Sequence, residues 1–477
     1  MRNTTMNRMK RSVAGVLVGL LLATTSAQAS VSSEEHAAVA SLLRDRGQHA
    51  VSTSLPHRQQ SEDAEISRLL GQPLTSESAV RLALLNHRGV RAALVSLGVP
   101  RGQLTQDSLP PNPEVEVSVR VPHGSEQPLQ AEIGVDYEVS ALILLPLRRS
   151  AAQSELFSAR QRVASEILDI AYRARLAFYE AAARLEQLTL RRQALKVAEA
   201  AYAVRQELSR VGNVVVLDLE QERVAMESAR LGVAEAALVA QEARERLCAA
   251  LGLVGTQTAW SIAPQALIAP KEPDVQDAEQ RVIEASLEMA ELRSQAMAAE
   301  QRARLYRTSG VLPHLGVGFH GEHDGASWEL GGHLSLSLPL FNQGQGRVAL
   351  ARAESSSLRE RVLVVEAALR ARVRTVQARL ALHLSRARIL REGLLPARER
   401  ALKEMQLQYN GMQVSVFQLL ESQRQLFDAQ AVYLDALRES QAARAALDVL
   451  LAGHSVDLGS GSAGFRSSVS SSDGAAH

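Results

Sequence analysis

The sequence predicts a mostly α-helical chain with a membrane β part: long antiparallel helical hairpins carrying four β-strands too few to close a barrel alone. Three observations predict it. Four short segments alternate between apolar and polar side chains, two long stretches are free of Pro and Gly, the first with apolar residues every seven, and an export signal heads the chain.

Arg2, Arg8, Lys10 and Arg11 form a positive region, Val13 to Ala23 a short apolar run, and Ala27-Gln28-Ala29 a small-x-small cleavage pattern. This predicts a secretory signal at 1–29. The run is too short to cross a bilayer, which takes about 20 residues. No Cys follows it to accept a lipid, and the single Cys248 cannot form an intrachain disulfide, so Cys248 reads as a small buried hydrophobe of a helix. Without the signal the chain carries 49 basic and 52 acidic residues, a formal charge of −3, which offers nucleic acid no basic surface. No later run of 18 apolar residues occurs, so any further membrane crossing must use strands.

In Glu114-Val115-Glu116-Val117-Ser118-Val119-Arg120-Val121 every odd position is apolar, and Leu129 to Val139 keeps the same parity across the turn-rich 122–128. The pattern recurs about 200 residues later. Leu315, Val317 and Phe319 alternate with Gly316, Gly318 and His320, and Leu330, Leu334, Leu336 and Leu338 with Gly331, His333, Ser335 and Ser337. Strands of about ten residues, apolar on one face and polar on the other, are the signature of an outer-membrane barrel, although half-buried strands of a soluble sheet share it. A small barrel takes about eight strands. An open edge in lipid leaves backbone groups unpaired at several kcal/mol each, so four such strands require an oligomer that shares one barrel.

Ser150 to Arg210 contains no Pro or Gly, with Ile167, Ala174, Ala181, Leu188, Leu195 and Tyr202 at heptad spacing and Leu156, Val163, Ile170 and Ala177 as a second series. Gly212-Asn213 should break this rod, and Leu217 to Leu251 should return. The second half repeats the plan: Arg347 to Glu392, an interruption at Pro396, a turn at Asn410-Gly411, and a return from Phe417. Ala83 to Arg91 aligns with Ala285 to Arg293, Leu109-Pro110 with Leu312-Pro313, and Pro146-Leu147 with Pro339-Leu340, which indicates a tandem duplication. The expected division is a signal at 1–29; a polar N-terminal extension at 30–72; a first repeat at 73–256 with strands 114–121 and 129–139 and helical hairpin 148–251; a linker at 257–277; a second repeat at 278–453 with strands 314–321 and 329–338 and hairpin 346–452; and a disordered Ser/Gly-rich tail at 454–477.

With these elements in place, residues 73–453 resemble the TolC-like outer-membrane efflux family. Ala79 to Asn86 looks like its opening helix, Leu109-Pro110-Pro111-Asn112-Pro113 and Leu312-Pro313 like its entries into each strand pair, and Leu336 to Gly344 like its exit into the second long helix. Tyr409 to Gln423 resembles its periplasmic tip, although the family's glycine falls at Met412 here. The resemblance implies a TolC-like fold: a homotrimer whose helical hairpins form an α-barrel through the periplasm, topped by a shared 12-stranded β-barrel in outer-membrane lipid. It implies a passive duct with no cofactor and no enzyme activity. Its partners would be a periplasmic adaptor (membrane fusion) protein and an inner-membrane efflux pump. The tip turns and Leu147-Arg148-Arg149 are most like the branch that serves metal-cation pumps; drug efflux and type I protein secretion remain alternatives.

In the family a ring of acidic residues narrows the pore near the tip. The matching positions are Gln418 and Glu421, counted from Tyr409, and in the first half Asp218 and Glu222 lie near the corresponding tip. All four could equally be solvated helix residues. Glu114, Glu116, Glu132, Asp136 and Glu138 would give the barrel lumen an acidic lining. His314, His320, His323 and His333 cluster around the second strand pair as metal-ligand candidates or as ordinary polar residues of lumen and loop. No H-E-x-x-H, P-loop or G-x-S-x-G motif is present. A periplasmic coiled-coil adaptor is the rival reading, but it would carry one hairpin rather than two; a soluble structural coiled coil would not need the strands.

Overall fold

The computed structural model describes residues 28–46, 59–120, 130–211, 215–263, 266–271, 276–324 and 327–456. Most of the expected signal, the connector 122–128, the Gly212-Asn213 turn and most of the expected tail lie outside these residues. The chain is mostly helical with one four-stranded antiparallel sheet. Helices α1 (Gln28–Arg44) and α2 (Gln59–Leu70) come first, then α3 (Ser76–Asn86), α4 (Arg88–Ser96) and α5 (Gly98–Asp107). Strands β1 (Glu114–Arg120) and β2 (Gln130–Glu138) lead into α6 (Ser140–Arg210) and its return α7 (Val216–Leu251). The second half runs α8 (Ala278–Ala285), α9 (Leu287–Val311), β3 (His314–Asp324), β4 (Trp328–Ser337), α10 (Gln345–Ile389), a π turn at Leu390–Leu394, α11 (Leu395–Asn410) and α12 (Val416–Leu451). The 71 residues of α6 span about 105 Å at 1.5 Å per residue.

The strands form one sheet in the order β1-β2-β3-β4. Pairing of β2 with β3 joins the two halves, with Val135 opposite Phe319 and Tyr137 opposite Val317. Alternation puts Val115, Val117 and Val119 on the same face as Ile133, Val135, Phe319, Leu330, Leu334 and Leu336, and this whole apolar face is exposed. A soluble sheet would cover it. Strands β1 and β4 leave the two outer edges unpaired.

Two prolines behave differently from the sequence expectation. The first hairpin begins at Ser140, not 148, and carries Pro146 inside the helix. The Val139 amide still donates to the Leu315 carbonyl (2.9 Å), so the strand ends where the helix starts and leaves no room for a linker. Pro146 forfeits one helical hydrogen bond, a local cost that the long rod absorbs. Pro396 does not interrupt the second rod. The π turn at Leu390–Leu394 widens the helix just ahead of it, and α11 takes Pro396 in its first turn, where a missing N–H is tolerated.

The heptad positions Ile167, Ala174 and Ala181 are fully buried in the middle of α6, against the helices that precede and follow it. The described parts of the polar extension are helical and packed: Val39 and Leu43 of α1 and Ile66 of α2 enter the core. Helix α1 begins at Gln28, so the expected cleavage point lies in its first turn. The linker is stapled to the body. Ser261 and Ala263 exchange hydrogen bonds with Leu74, and the Trp260 Nε1–H donates to buried Cys248 Sγ at 3.2 Å.

Both return helices close in the same way. Gly252 (φ 69°) abuts the α3–α4 break, where Asn86 Nδ2 donates to the Gly252 carbonyl at 2.7 Å. Gly453 (φ 98°) abuts the α8–α9 break, where the Leu287 amide donates to the Gly453 carbonyl at 2.9 Å. A Cβ on Gly453 would stand 2.1 Å from the Ala285 carbonyl oxygen, in a conformation that L side chains avoid. Gly453→Ala is therefore expected to destabilise the chain by about 2 kcal/mol or more, read as a lowered thermal midpoint.

Candidate functional site

Two places gather the chain's functional side chains: the polar face of the sheet, and the hairpin ends farthest from it.

The polar face follows from register alone. Glu114 lies opposite Asp136, Glu116 opposite Gly134, and Ser118 opposite Glu132; Glu138 lies opposite Gly316 of β3. The five acidic residues read from the sequence therefore share one face, opposite the valines. Glu132, Glu322 and Glu329 form one row across three strands. Beside it His333 Nε2 approaches Asp136 Oδ1 at 2.8 Å, and the rings of His320 and His333 lie 5.9 Å apart. Of the four histidines, register puts His314, His320 and His333 on this face, while His323 stands edge-on to Trp328 on the apolar face. The sequence could not bring His333 to Asp136, because they belong to different halves. Among the described residues no group of three or more His, Cys, Asp or Glu is arranged to hold a metal ion.

At the far ends of the hairpins the hub is Arg205, which sequence reasoning missed. Its guanidinium lies 3.7 Å from Asp218 Oδ2 and 3.6 Å from Glu222 Oε1, both on α7, and stacks over the Phe417 ring of α12 at 3.0 Å from the centroid. One side chain of α6 thus ties its own return helix to the second hairpin. An exposed-looking Phe in a chain with 3% aromatics was the available signal. Glu421 pairs with Arg424 at 3.1 Å and accepts from Gln425 Nε2. Gln418 is engaged locally: its side chain accepts from the Ser415 amide at 3.0 Å while Ser415 Oγ accepts from the Gln418 amide, a capping box that starts α12. Lining this region is a cleft of about 490 Å³ bounded by Phe417, Leu420, Glu421 and Gln221 among others.

The turn after Tyr409 is a Schellman closure. The Met412 amide donates to the Tyr409 carbonyl and the Gln413 amide to the Gln408 carbonyl, both at 2.9 Å. Met412, not Gly411, takes the left-handed conformation (φ 59°), and its side chain is almost fully exposed. Met412→Gly should relieve this and stabilise the second hairpin by about 1 kcal/mol, measured as a raised midpoint in urea. A lowered midpoint would mean that the Met412 side chain contributes more than its backbone costs.

No protein-family model matches the chain. The cobalt-zinc-cadmium resistance protein CzcC of Cupriavidus metallidurans is similar: it is 25% identical over 389 residues, covering 80% of this chain and 90% of that protein. Among solved structures, the CusC channel superposes with a TM-score of 0.66 at 18% identity, covering 80% of this chain and 92% of its own. The outer-membrane protein VceC of Vibrio cholerae superposes with a TM-score of 0.67 at 16% identity, covering 82% and 97%. Helical rods, exposed apolar sheet face, duplicated plan and these likenesses agree: the chain has the fold of the TolC-like outer-membrane channels and resembles the metal-cation branch of that family.

Proposed function

We propose that this protein is the outer-membrane channel of a tripartite efflux system, a passive duct for metal cations delivered by an inner-membrane pump through a periplasmic adaptor. The observation that carries the reading is the sheet: four strands with two open edges and an exposed apolar face, continuous with helices about 105 Å long. Because the strands alternate in direction, β4 of one copy meets β1 of the next antiparallel, so copies close an even-stranded barrel without edges. Three copies give 12 strands. The helical bodies offer a matching seam: Leu217, Val224, Leu231 and Leu238 repeat every seven residues on the exposed side of α7, and Leu382 and Ile389 on that of α10. Metal cargo is supported by the likeness to CzcC and by the acidic polar face.

Deletion of the gene should sensitise cells to cobalt, zinc or cadmium. Sensitivity to drugs alone removes the metal cargo and favours the drug-efflux reading.

The Arg205 hub acts as the gate in this proposal, with Glu421 the charged residue beside it. Arg205→Ala loosens the tip of α12, which Arg191–Asp428 and Arg184–Asp435 still hold farther along, and should raise single-channel conductance several-fold in planar bilayers. A conductance equal to that of the unaltered trimer rules the hub out as the constriction.

A further inference from the structure

On the polar face of the sheet, two histidines and an aspartate are brought together by glycines. Asp136 of β2, Gly318 of β3 and His333 of β4 stand in one row; Gly134, His320 and Gly331 stand in the next. His333 reaches over Gly318 to Asp136. A Cβ on Gly318 would lie 2.2 Å from Asp136 Oδ1 and 2.2 Å from His333 Cε1, so any other residue there would push the two apart. His320 leans the opposite way, and a Cβ on Gly331 would lie 2.8 Å from its Nε2. Each imidazole thus lies across the other strand's glycine, with ring centroids 5.9 Å apart.

The carboxylate also selects a tautomer. A carboxylate oxygen accepts from a ring N–H, so in the neutral imidazole the 2.8 Å contact places the His333 proton on Nε2 and the lone pair on Nδ1. Two imidazoles a few ångströms apart, one held in the binding tautomer, suit a borderline divalent transition cation that takes ring nitrogens at roughly 2 Å. Among the described residues no third His, Cys, Asp or Glu completes the set. Water would fill the remaining positions, and the site would be weak. A duct needs that, since a cation held by a full shell does not leave. The neighbouring row of Glu132, Glu322 and Glu329 raises the local cation concentration without discriminating between metals.

We infer that His320 and His333 form a two-imidazole contact for transition-metal cations of the zinc and cobalt class inside the barrel, with Asp136 as the residue that positions His333. The inference deepens the proposed function and rests on its placing of this face in the lumen.

The test uses the full-length trimer in planar bilayers carrying a potassium current, with zinc chloride or magnesium chloride added to one side. Zinc should block at a concentration at least ten-fold below magnesium. The His320→Gln/His333→Gln double variant should lose that ten-fold difference, each block being read against the variant's own potassium current. Asp136→Asn should lose part of it, and Glu322→Gln should weaken both cations alike. Equal potency of zinc and magnesium on the unaltered trimer would overturn the inference, as would an unchanged zinc block in the double variant. The cell phenotype is read separately. Failure of the deletion strain to become metal-sensitive removes the metal cargo and leaves a zinc-selective block standing; absence of that block removes the histidine contact and leaves the cargo standing.

Discussion

Val117→Lys is expected to abolish the proposed outer-membrane trimer, while Glu116→Lys, one residue away, leaves it assembled. Val117 is the middle residue of β1, lies opposite Ile133, and is exposed on the apolar face. A lysine at mid-bilayer on the outside of a barrel costs about 2–4 kcal/mol. Three copies carry that cost three times, about 6–12 kcal/mol for the trimer, which rivals the whole stability of a typical domain. Glu116 lies on the opposite face beside Gly134, where a lysine exchanges one solvated charge for another. Heat-modifiable trimer on gels of outer-membrane fractions measures both variants. Intact Val117→Lys trimer would show that the exposed valines do not meet lipid. Equal loss in both variants would show that β1 tolerates no lysine on either face, and the assignment of faces would fall.

Glu35→Ala should detach the N-terminal helix. The Glu35 carboxylate is buried (2% exposed) and takes Arg160 in a fork, Nε at 2.6 Å and Nη2 at 2.9 Å, with Arg101 Nη1 at 3.3 Å. The hydrogen bond that Arg160 donates to Glu35 raises the Arg160 pKa against the opposing effect of burial. Removing one partner of a buried pair costs about 3–5 kcal/mol. Arg160 is a quarter exposed and can rehydrate, which lowers the expected loss to about 2–3 kcal/mol. The readouts are a lower urea midpoint and rapid proteolysis between α1 and α2. Glu34→Ala is the control: Glu34 is well exposed and its single contact with Arg101 should be worth under about 1 kcal/mol. If the two variants lose equally little, α1 is held by Val39 and Leu43 rather than by the ion pair.

Periodicity made much of the architecture legible. Alternation in 114–121 and 314–321 exposes a strand because side chains on a pleated backbone switch faces at every residue. The heptads through Ile167 and Ala174 expose a packed helix because 3.6 residues make a turn, and spacings near 200 expose the duplication. Each of these is a property of one segment or of a simple offset. Rules of local propensity misplaced Pro146 and Pro396 as boundaries; they found the turn opening at Asn410-Gly411, but not that Met412 would take its left-handed conformation. A proline or a left-handed methionine costs only a few kcal/mol, and long packed rods absorb it.

By itself the sequence determined the four strands, the long rods and the two-fold plan, because each follows from the periodicity of one segment or from a fixed offset between two. Only the tertiary structure decided that β2 pairs with β3 to make one sheet, that the extension docks through Glu35, and that Arg205 meets Phe417. It also decided that His333 reaches Asp136 across Gly318. Those contacts join residues from tens to about 200 positions apart. Their distances are set by backbone register between separate elements, which no pattern within a single element encodes.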